Sequence, residues 1–258
     1  MQRIQIDHER CILCEKCAQV CTANIIREKE GKMVPKDVDC IRCGHCVAVC
    51  PAKAITLGGI GPIDEERFDK ELLQKQLPLL VRQRRSMRLF KDKSVTAQDI
   101  APIMDMVRYA PTGKNRQAVG YILLTGKALQ DFVAYSYKLT DSVASMALFS
   151  NLFYEKDNDI LFRKAPAVLI AYAPEEFYTA IVDVSIALTI FDLAAPLYGI
   201  GACWAGFLMN LANQNSHMST HLNIPQGNKI LGVLLVGHSN ISYVSTPNRN
   251  NPRLKVMD

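Results

Sequence analysis

The sequence holds a single tryptophan, and aromatic residues fill only 7% of its 258 positions. It has no uninterrupted run of about twenty apolar residues, the length a membrane-spanning helix requires. Its most apolar stretch, 181–204, is broken by Asp183, Asp192 and Pro196 and reads as a core helix. The five histidines, His8, His45, His217, His221 and His238, are scattered and form neither a triad nor a metal set, so they read as structural or surface residues. The pair Gly199 and Gly201 is an incomplete dinucleotide fingerprint. The opening residues, Met1 to Asp7, lack the apolar core of a secretory leader, so a reducing cytosol is expected. Internal repetition is confined to cysteine spacing.

That spacing is the dominant feature. Cys11, Cys14, Cys17 and Cys21 follow C-x2-C-x2-C-x3-C, and Cys40, Cys43, Cys46 and Cys50 repeat it with Pro51 behind. Zinc prefers two separated C-x2-C pairs, and a run this dense crowds a tetrahedral ion. Disulfides would need an oxidising compartment. Three closely spaced thiolates suit three corners of an iron–sulfur cube, with the fourth ligand supplied from a distance. In the bacterial two-cluster ferredoxin spacing, the last cysteine of each run serves the other run's cluster. On that rule Cys11, Cys14, Cys17 and Cys50 hold one 4Fe–4S cluster, and Cys40, Cys43, Cys46 and Cys21 hold the second. Thr22 departs from the proline that usually follows the fourth cysteine, which loosens a turn without removing a ligand. His45, inside a cluster loop, reads as solvent-facing.

The formal charge of +5 counts the cysteines as neutral. Two loaded clusters, each about 2− with its thiolates, remove about four units and leave the protein close to neutral. The basic pI therefore argues for no nucleic-acid partner, and no DNA-binding helix pair is evident.

A cluster domain over 1–57 leaves room for a further domain. The break at Leu57 to Pro62 reads as a hinge, the polar stretch to 76 as a linker, and 77–258 as the second domain. There the pattern predicts helices over 79–85 and 127–138, and one from Asp141 to Tyr154. Thr96 to Asp99 resembles a capping box opening a helix through Tyr109. Strands are predicted over 119–125, 165–173, 202–207 and 229–237, with a long apolar helix over 176–198. The expected class is α+β, with short strands near 2–6 and 54–57 framing the cysteine loops and a helix-flanked central sheet behind.

Four segments of the second domain carry chemistry. Arg84-Arg85-Ser86-Met87-Arg88 clusters guanidiniums with a hydroxyl, a combination that can bind phosphate, although a basic cluster by itself is more often a solvated face. Ala110 to Gln117 is a polar turn directly after a helix. Gly199 to Phe207 places small residues, Cys203 and Trp204 beyond the apolar helix. Arg249 follows the last strand. In content and order these segments resemble the nitroreductase family of flavoproteins over about residues 77–258, so the whole chain resembles a ferredoxin–nitroreductase fusion.

The resemblance implies an FMN-dependent, dimeric α+β domain. Arg84, Arg85, Ser86 and Arg88 would hold the phosphate, ribityl chain and pyrimidine edge of FMN, and Arg249 would close on the phosphate. Thr112, Gly113 and Asn115 would approach the flavin from the partner subunit. Cys203, Trp204, Ala205 and Gly206 would line the ring. Two departures stand out: Gln117 is followed by Ala118 and Val119 rather than proline and tryptophan, and 137–163 matches no family motif. Cys203 reads as a small buried residue rather than a nucleophile. Tyr135, Tyr137, Phe149, Phe153 and Tyr154 could wall a substrate cavity, although helical spacing favours the core.

The implied function is an iron–sulfur flavoprotein oxidoreductase. One-electron clusters would feed FMN, and FMN would reduce a nitro, quinone-like or other electrophilic acceptor with no side chain named as catalytic. A ferredoxin, a flavodoxin or NAD(P)H would serve as donor, in an anaerobic or low-oxygen cytosol. The alternative is an electron-transfer module serving a partner protein without its own small substrate. A redox-responsive regulator ranks third.

Overall fold

The computed structural model describes residues 4–140 and 159–257, which divide into two units. The first comprises Met1–Asp69 with Lys114–Arg116, and the second Lys70–Gly113 with Gln117–Asp258.

The first unit is two short antiparallel ribbons joined by cysteine loops. β1 (Ile4–Ile6) pairs with β4 (Ile55–Leu57), and β2 (Ile26–Lys29) pairs with β3 (Lys32–Pro35). Single helical turns, α1 (Lys16–Gln19) and α2 (His45–Val49), each contain the third cysteine of a run, Cys17 and Cys46. The buried apolar core is small: Ile4, Ile25, Ile26, Met33 and Ile55, joined by the sulfurs of Cys17 and Cys46. The β2–β3 hairpin has no counterpart among the elements expected from sequence. Its strands bury one residue each, so neither shows alternation strong enough to read.

The second unit is a four-stranded antiparallel sheet, order β5-β6-β8-β7, formed by Gly120–Thr125, Ala167–Pro174, Asn228–His238 and Ile200–Trp204 respectively. The pleat sends alternate residues to opposite faces. Val168, Ile170, Val233 and Leu235 enter one core with Leu129 and Phe132 of α5 (Gly126–Leu139) and Leu208 and Leu211 of α7 (Gly206–Gln214). Leu169, Ala171, Leu234 and Val236 enter the other, with Ile100, Ile103 and Val107 of α4 (Ala97–Val107) and Val184, Leu188 and Phe191 of α6 (Ala180–Ala194). A sheet covered on both faces explains why β6 and β8 read as continuous apolar runs. Gly232 lets α6 approach: a Cβ there would stand 2.8 Å from Val184 Cγ1. A short helix α8 (His217–His221) completes the second unit.

Several boundaries differ from expectation. The helix predicted over 79–85 is α3 (Lys70–Gln83), which starts inside the stretch read as a linker, contains Pro78 and buries no residue. The helix predicted over 176–198 begins at Ala180, and its last turn is a 3-10 helix, Ala195–Tyr198. Gly199, left-handed at φ 69°, ends that turn. The strand expected over 202–207 therefore occupies Ile200–Trp204, and Gly206 already opens α7. The capping box is present: Thr96 Oγ1 accepts from Asp99 N–H at 3.3 Å, and the Asp99 carboxylate accepts from Thr96 N–H at 2.7 Å. The helix expected over 141–154 lies outside the described residues, as do Phe149, Phe153 and Tyr154. The stretch Ala180–Tyr198 is long and apolar enough to cross a membrane by length and composition. In the fold its inner face forms core, and both of its aspartates are buried.

Candidate functional site

The eight run cysteines gather around two small cavities, and each set of four draws on both runs. Cys11, Cys14, Cys17 and Cys50 line one, with Ile6, Met33 and Ile55 around them. Cys21, Cys40, Cys43 and Cys46 line the other, with Ile4, Ile25 and Leu57. Among the described residues no three His, Cys, Asp or Glu side chains converge as a single ion would need. Four sulfurs spread around a void suit a cube better than one ion.

The two loops share one backbone design. Leu13 and Glu15 are left-handed at φ 54° and 55°, and Arg42 and Gly44 match them at 55° and 76°. Further along, Asn24 and Lys53 are left-handed at 50° and 49°. Immediately after these two, Ile25 N–H donates to Cys21 Sγ and Ala54 N–H to Cys50 Sγ, both at 3.3 Å. Arg42 N–H donates to Cys40 Sγ at the same distance. Such conformations at non-glycine residues cost of order 1 kcal/mol each and persist where a bound group uses the geometry. Burial pushes the Cys46 thiol up to about 11, helped by Cys40 and Cys43, and moves Cys17 in the same direction. The positive core of a cluster would offset that burial and favour the thiolate form.

Asn115, grouped with the first unit, donates from Nδ2 to the carbonyls of Arg42 at 2.8 Å and Ile41 at 3.3 Å.

In the second unit a cavity of about 420 Å³ lies beside β7 and the start of α7, within the size range of cofactor sites. Arg88, Arg163, Cys203, Trp204 and Asn210 are among its lining, and Ala205, Gly206 and Leu235 add small or apolar surface. Arg88 reaches it because its segment runs along the sheet. Met87 N–H donates to Ala202 O at 2.8 Å, and Lys91 N–H donates to His238 O at 2.9 Å. Met87 fills the space Gly201 leaves open, where a Cβ would lie 2.7 Å from Met87 Cγ. Burial raises the Cys203 thiol, while Arg88 and Arg163 oppose the rise, so both guanidiniums act on one wall.

The other residues named from sequence stand elsewhere. Arg84 Nη1 pairs with Asp192 Oδ2 at 3.1 Å; burial raises the Asp192 carboxyl and Arg84 draws it down. Arg85 donates from Nε to Arg84 O at 2.6 Å and from Nη2 to Arg82 O at 2.7 Å. Ser86 is half-buried. Thr112 Oγ1 accepts from Gln117 N–H at 3.0 Å, and Gly113 N–H donates to Asp183 Oδ1 at 3.0 Å. Arg249 is exposed on the irregular C-terminal segment. Sequence reasoning passed over Arg163 and Asn210, single polar residues without a periodic signal. It also counted Asp183 and Asp192 only as interruptions, whereas they anchor the turn at Gly113 and the start of the arginine segment.

These features agree with known proteins. Residues 81–238 match the family model of the nitroreductase family, and residues 3–60 match that of the 4Fe–4S dicluster domain. The FMN-bound nitroreductase of Bacteroides fragilis NCTC 9343 has a TM-score of 0.62 at 17% identity, covering 71% of this chain and 100% of that one. The FMN-bound nitroreductase of Desulfitobacterium hafniense DCB-2 gives 0.59 at 22%, covering 71% and 99%. One component of an ion-translocating oxidoreductase complex from Methanosarcina acetivorans is 47% identical over 47 residues, 18% of this chain and 18% of that component. An archaeal-type glutamate synthase from Thermotoga maritima is 34% identical over 56 residues, 21% of this chain and 11% of its own length. The chain thus spans less than a fifth of the curated relatives it matches. The chain belongs to the nitroreductase family and places a 4Fe–4S dicluster domain ahead of its flavoprotein-like fold.

Proposed function

We propose that this protein is an iron–sulfur flavoprotein oxidoreductase in which two 4Fe–4S clusters supply FMN with electrons for an electrophilic organic acceptor. The observation that carries the reading is that one chain offers both kinds of pocket: paired four-cysteine cavities, and a ring-sized cavity with two arginines on a small-residue wall. Cys11, Cys14, Cys17 and Cys50 would ligate one cluster, and Cys21, Cys40, Cys43 and Cys46 the other. Their fit to cubes rests on the four-sulfur cavities and on the N–H to sulfur bonds.

FMN, when bound, exchanges electrons singly or in pairs and so bridges clusters and organic acceptors. Arg88 would hold an electron-rich edge of the ring. Cys203, Trp204, Ala205 and Gly206 would form the surface against which it lies, their small side chains permitting close approach. Arg84, held by Asp192, would fix the arginine segment, with Arg85 and Ser86 beside it. No side chain here need act as acid or base.

The reading includes a homodimer in a cytosolic location. Tyr178, Ile181, Val182, Leu197 and Tyr198 are exposed along α6 and its ends, and Leu72, Leu73 and Leu77 are exposed on α3. A second copy would cover such apolar surface, and Thr112, Gly113, Asn115 and Arg249 would complete the partner's flavin site. A reduced one-electron carrier protein or NAD(P)H would be the donor.

The test uses anaerobically purified protein with iron, sulfide and flavin quantified. After chemical reduction, nitroaromatic and quinone acceptors are added and flavin reoxidation is followed. Reoxidation faster than in buffer supports an enzyme. No acceleration by any small acceptor would favour a module that passes electrons to another protein.

A further inference from the structure

The segment 159–164 stands out for its backbone. Arg163 and Lys164 are consecutive non-glycine residues in the left-handed region, both at φ 53°. One such residue costs about 1–2 kcal/mol, and two in sequence need a local reason to persist. Asp159 supplies it. Its Oδ1 accepts from Tyr137 Oη–H at 2.5 Å and Phe162 N–H at 3.0 Å, and its Oδ2 accepts from Lys164 N–H at 2.7 Å. Its main-chain oxygen accepts from Arg163 N–H at 2.7 Å.

The loop is also pinned from below. Leu161 and Phe162 are each 1% exposed, and Phe162 meets Phe132 edge to face at 5.9 Å. With those two side chains committed to the core, Arg163 turns to the cavity that Arg88 also lines. Relaxing either left-handed residue would redirect the chain just where the guanidinium leaves it. Burial, then the bond to Asp159, holds the Tyr137 phenol well above its ordinary range, so it remains a donor.

We propose that Asp159 and Tyr137 are positioning residues that clamp this strained loop so that Arg163 serves as the second cation of the flavin cavity. Its ligand would be a planar ring whose carbonyl-bearing edge gains negative charge on reduction. The assignment rests on the flavin reading above and adds to it a residue group that no motif marks.

The test measures FMN dissociation constant and flavin midpoint potential on the iron-loaded protein. Arg163→Met should weaken FMN about tenfold, as for one lost charge-assisted hydrogen bond, and lower the potential, with Arg163→Lys recovering part of both. Asp159→Asn should weaken FMN in the Arg163 protein but add nothing in the Arg163→Met background. Adding Lys164→Gly to Asp159→Asn should restore affinity, because glycine adopts the left-handed region without strain. Tyr137→Phe should give a smaller loss with the same dependence on Arg163, and it replaces Asp159→Asn if that variant fails to fold. An Asp159→Asn loss of equal size in both backgrounds would reduce the clamp to a structural feature and overturn the proposal, as would unchanged affinity and potential in Arg163→Met. Wild-type protein that takes up no FMN would remove the flavin reading itself.

Discussion

The two units build their candidate sites in opposite ways. In the first, the cysteines belong to the core: Cys17 and Cys46 are buried among five apolar side chains, and among the described residues no sheet there has more than two strands. In the second, two apolar cores sandwich a four-stranded sheet, and the arginine-lined cavity sits beside a scaffold that is already packed. A unit of about seventy residues with so little core would draw its stability from the clusters proposed for it, whereas the larger unit would receive the proposed flavin as a guest.

Removing iron gives the largest expected effect and tests that contrast directly. Anaerobic chelation should abolish amide hydrogen-exchange protection in β1 to β4 while leaving β6 and β8 protected. Persistent protection of Ile26–Lys29 and Lys32–Pro35 without iron would show that the small core suffices by itself.

A smaller effect is expected inside the second unit, where single buried acids tie loops to the scaffold. Asp183 accepts from Gly113 N–H at 3.0 Å and from Thr179 Oγ1 at 3.2 Å. Asp183→Ala withdraws a charged acceptor from both, a loss of about 1.5–3 kcal/mol. Exchange in 110–117 should rise, the melting temperature should fall, and iron content should be unchanged. A turn equally protected in the variant would mean that its backbone conformation holds without Asp183.

The same contrast governs what could be read from sequence. The run cysteines lie within a few positions of one another, so spacing alone proposes both sets, and the four-cysteine cavities group them in that crossed way. β6 and β8 were legible because burial on both faces makes their composition uniformly apolar. The arginine-lined cavity draws instead on Arg88, Ile160 to Arg163, Cys203 to Phe207 and Leu235, segments joined only by the fold. Arg84 and Arg88 look alike in the motif, yet one faces Asp192 and the other the cavity. That difference depends on a buried acid in α6, which the sequence displays only as a break in an apolar run. Asp159 was equally silent, because its importance lies in the left-handed residues it stabilises.

The smallest expected effect concerns a feature read correctly from four residues. Hydrogen bonds from the Thr96 main chain, then its side chain, lower the Asp99 carboxyl below its ordinary value. A depressed carboxylate contributes stability above the unfolded value, about 4, and loses it as pH falls through the lower folded value. Thr96→Ala should therefore lower the melting temperature by a few degrees at neutral pH, as expected for one helix cap in the scaffold unit. The gap to wild type should narrow as Asp99 protonates in acid, because the bond that Thr96 Oγ1–H donates to the Asp99 carboxylate at 2.8 Å, absent from the variant, weakens there. A gap that stays constant down to pH 3 would assign the loss to Thr96 Oγ1 accepting from Asp99 N–H, a bond that does not need the carboxylate charge.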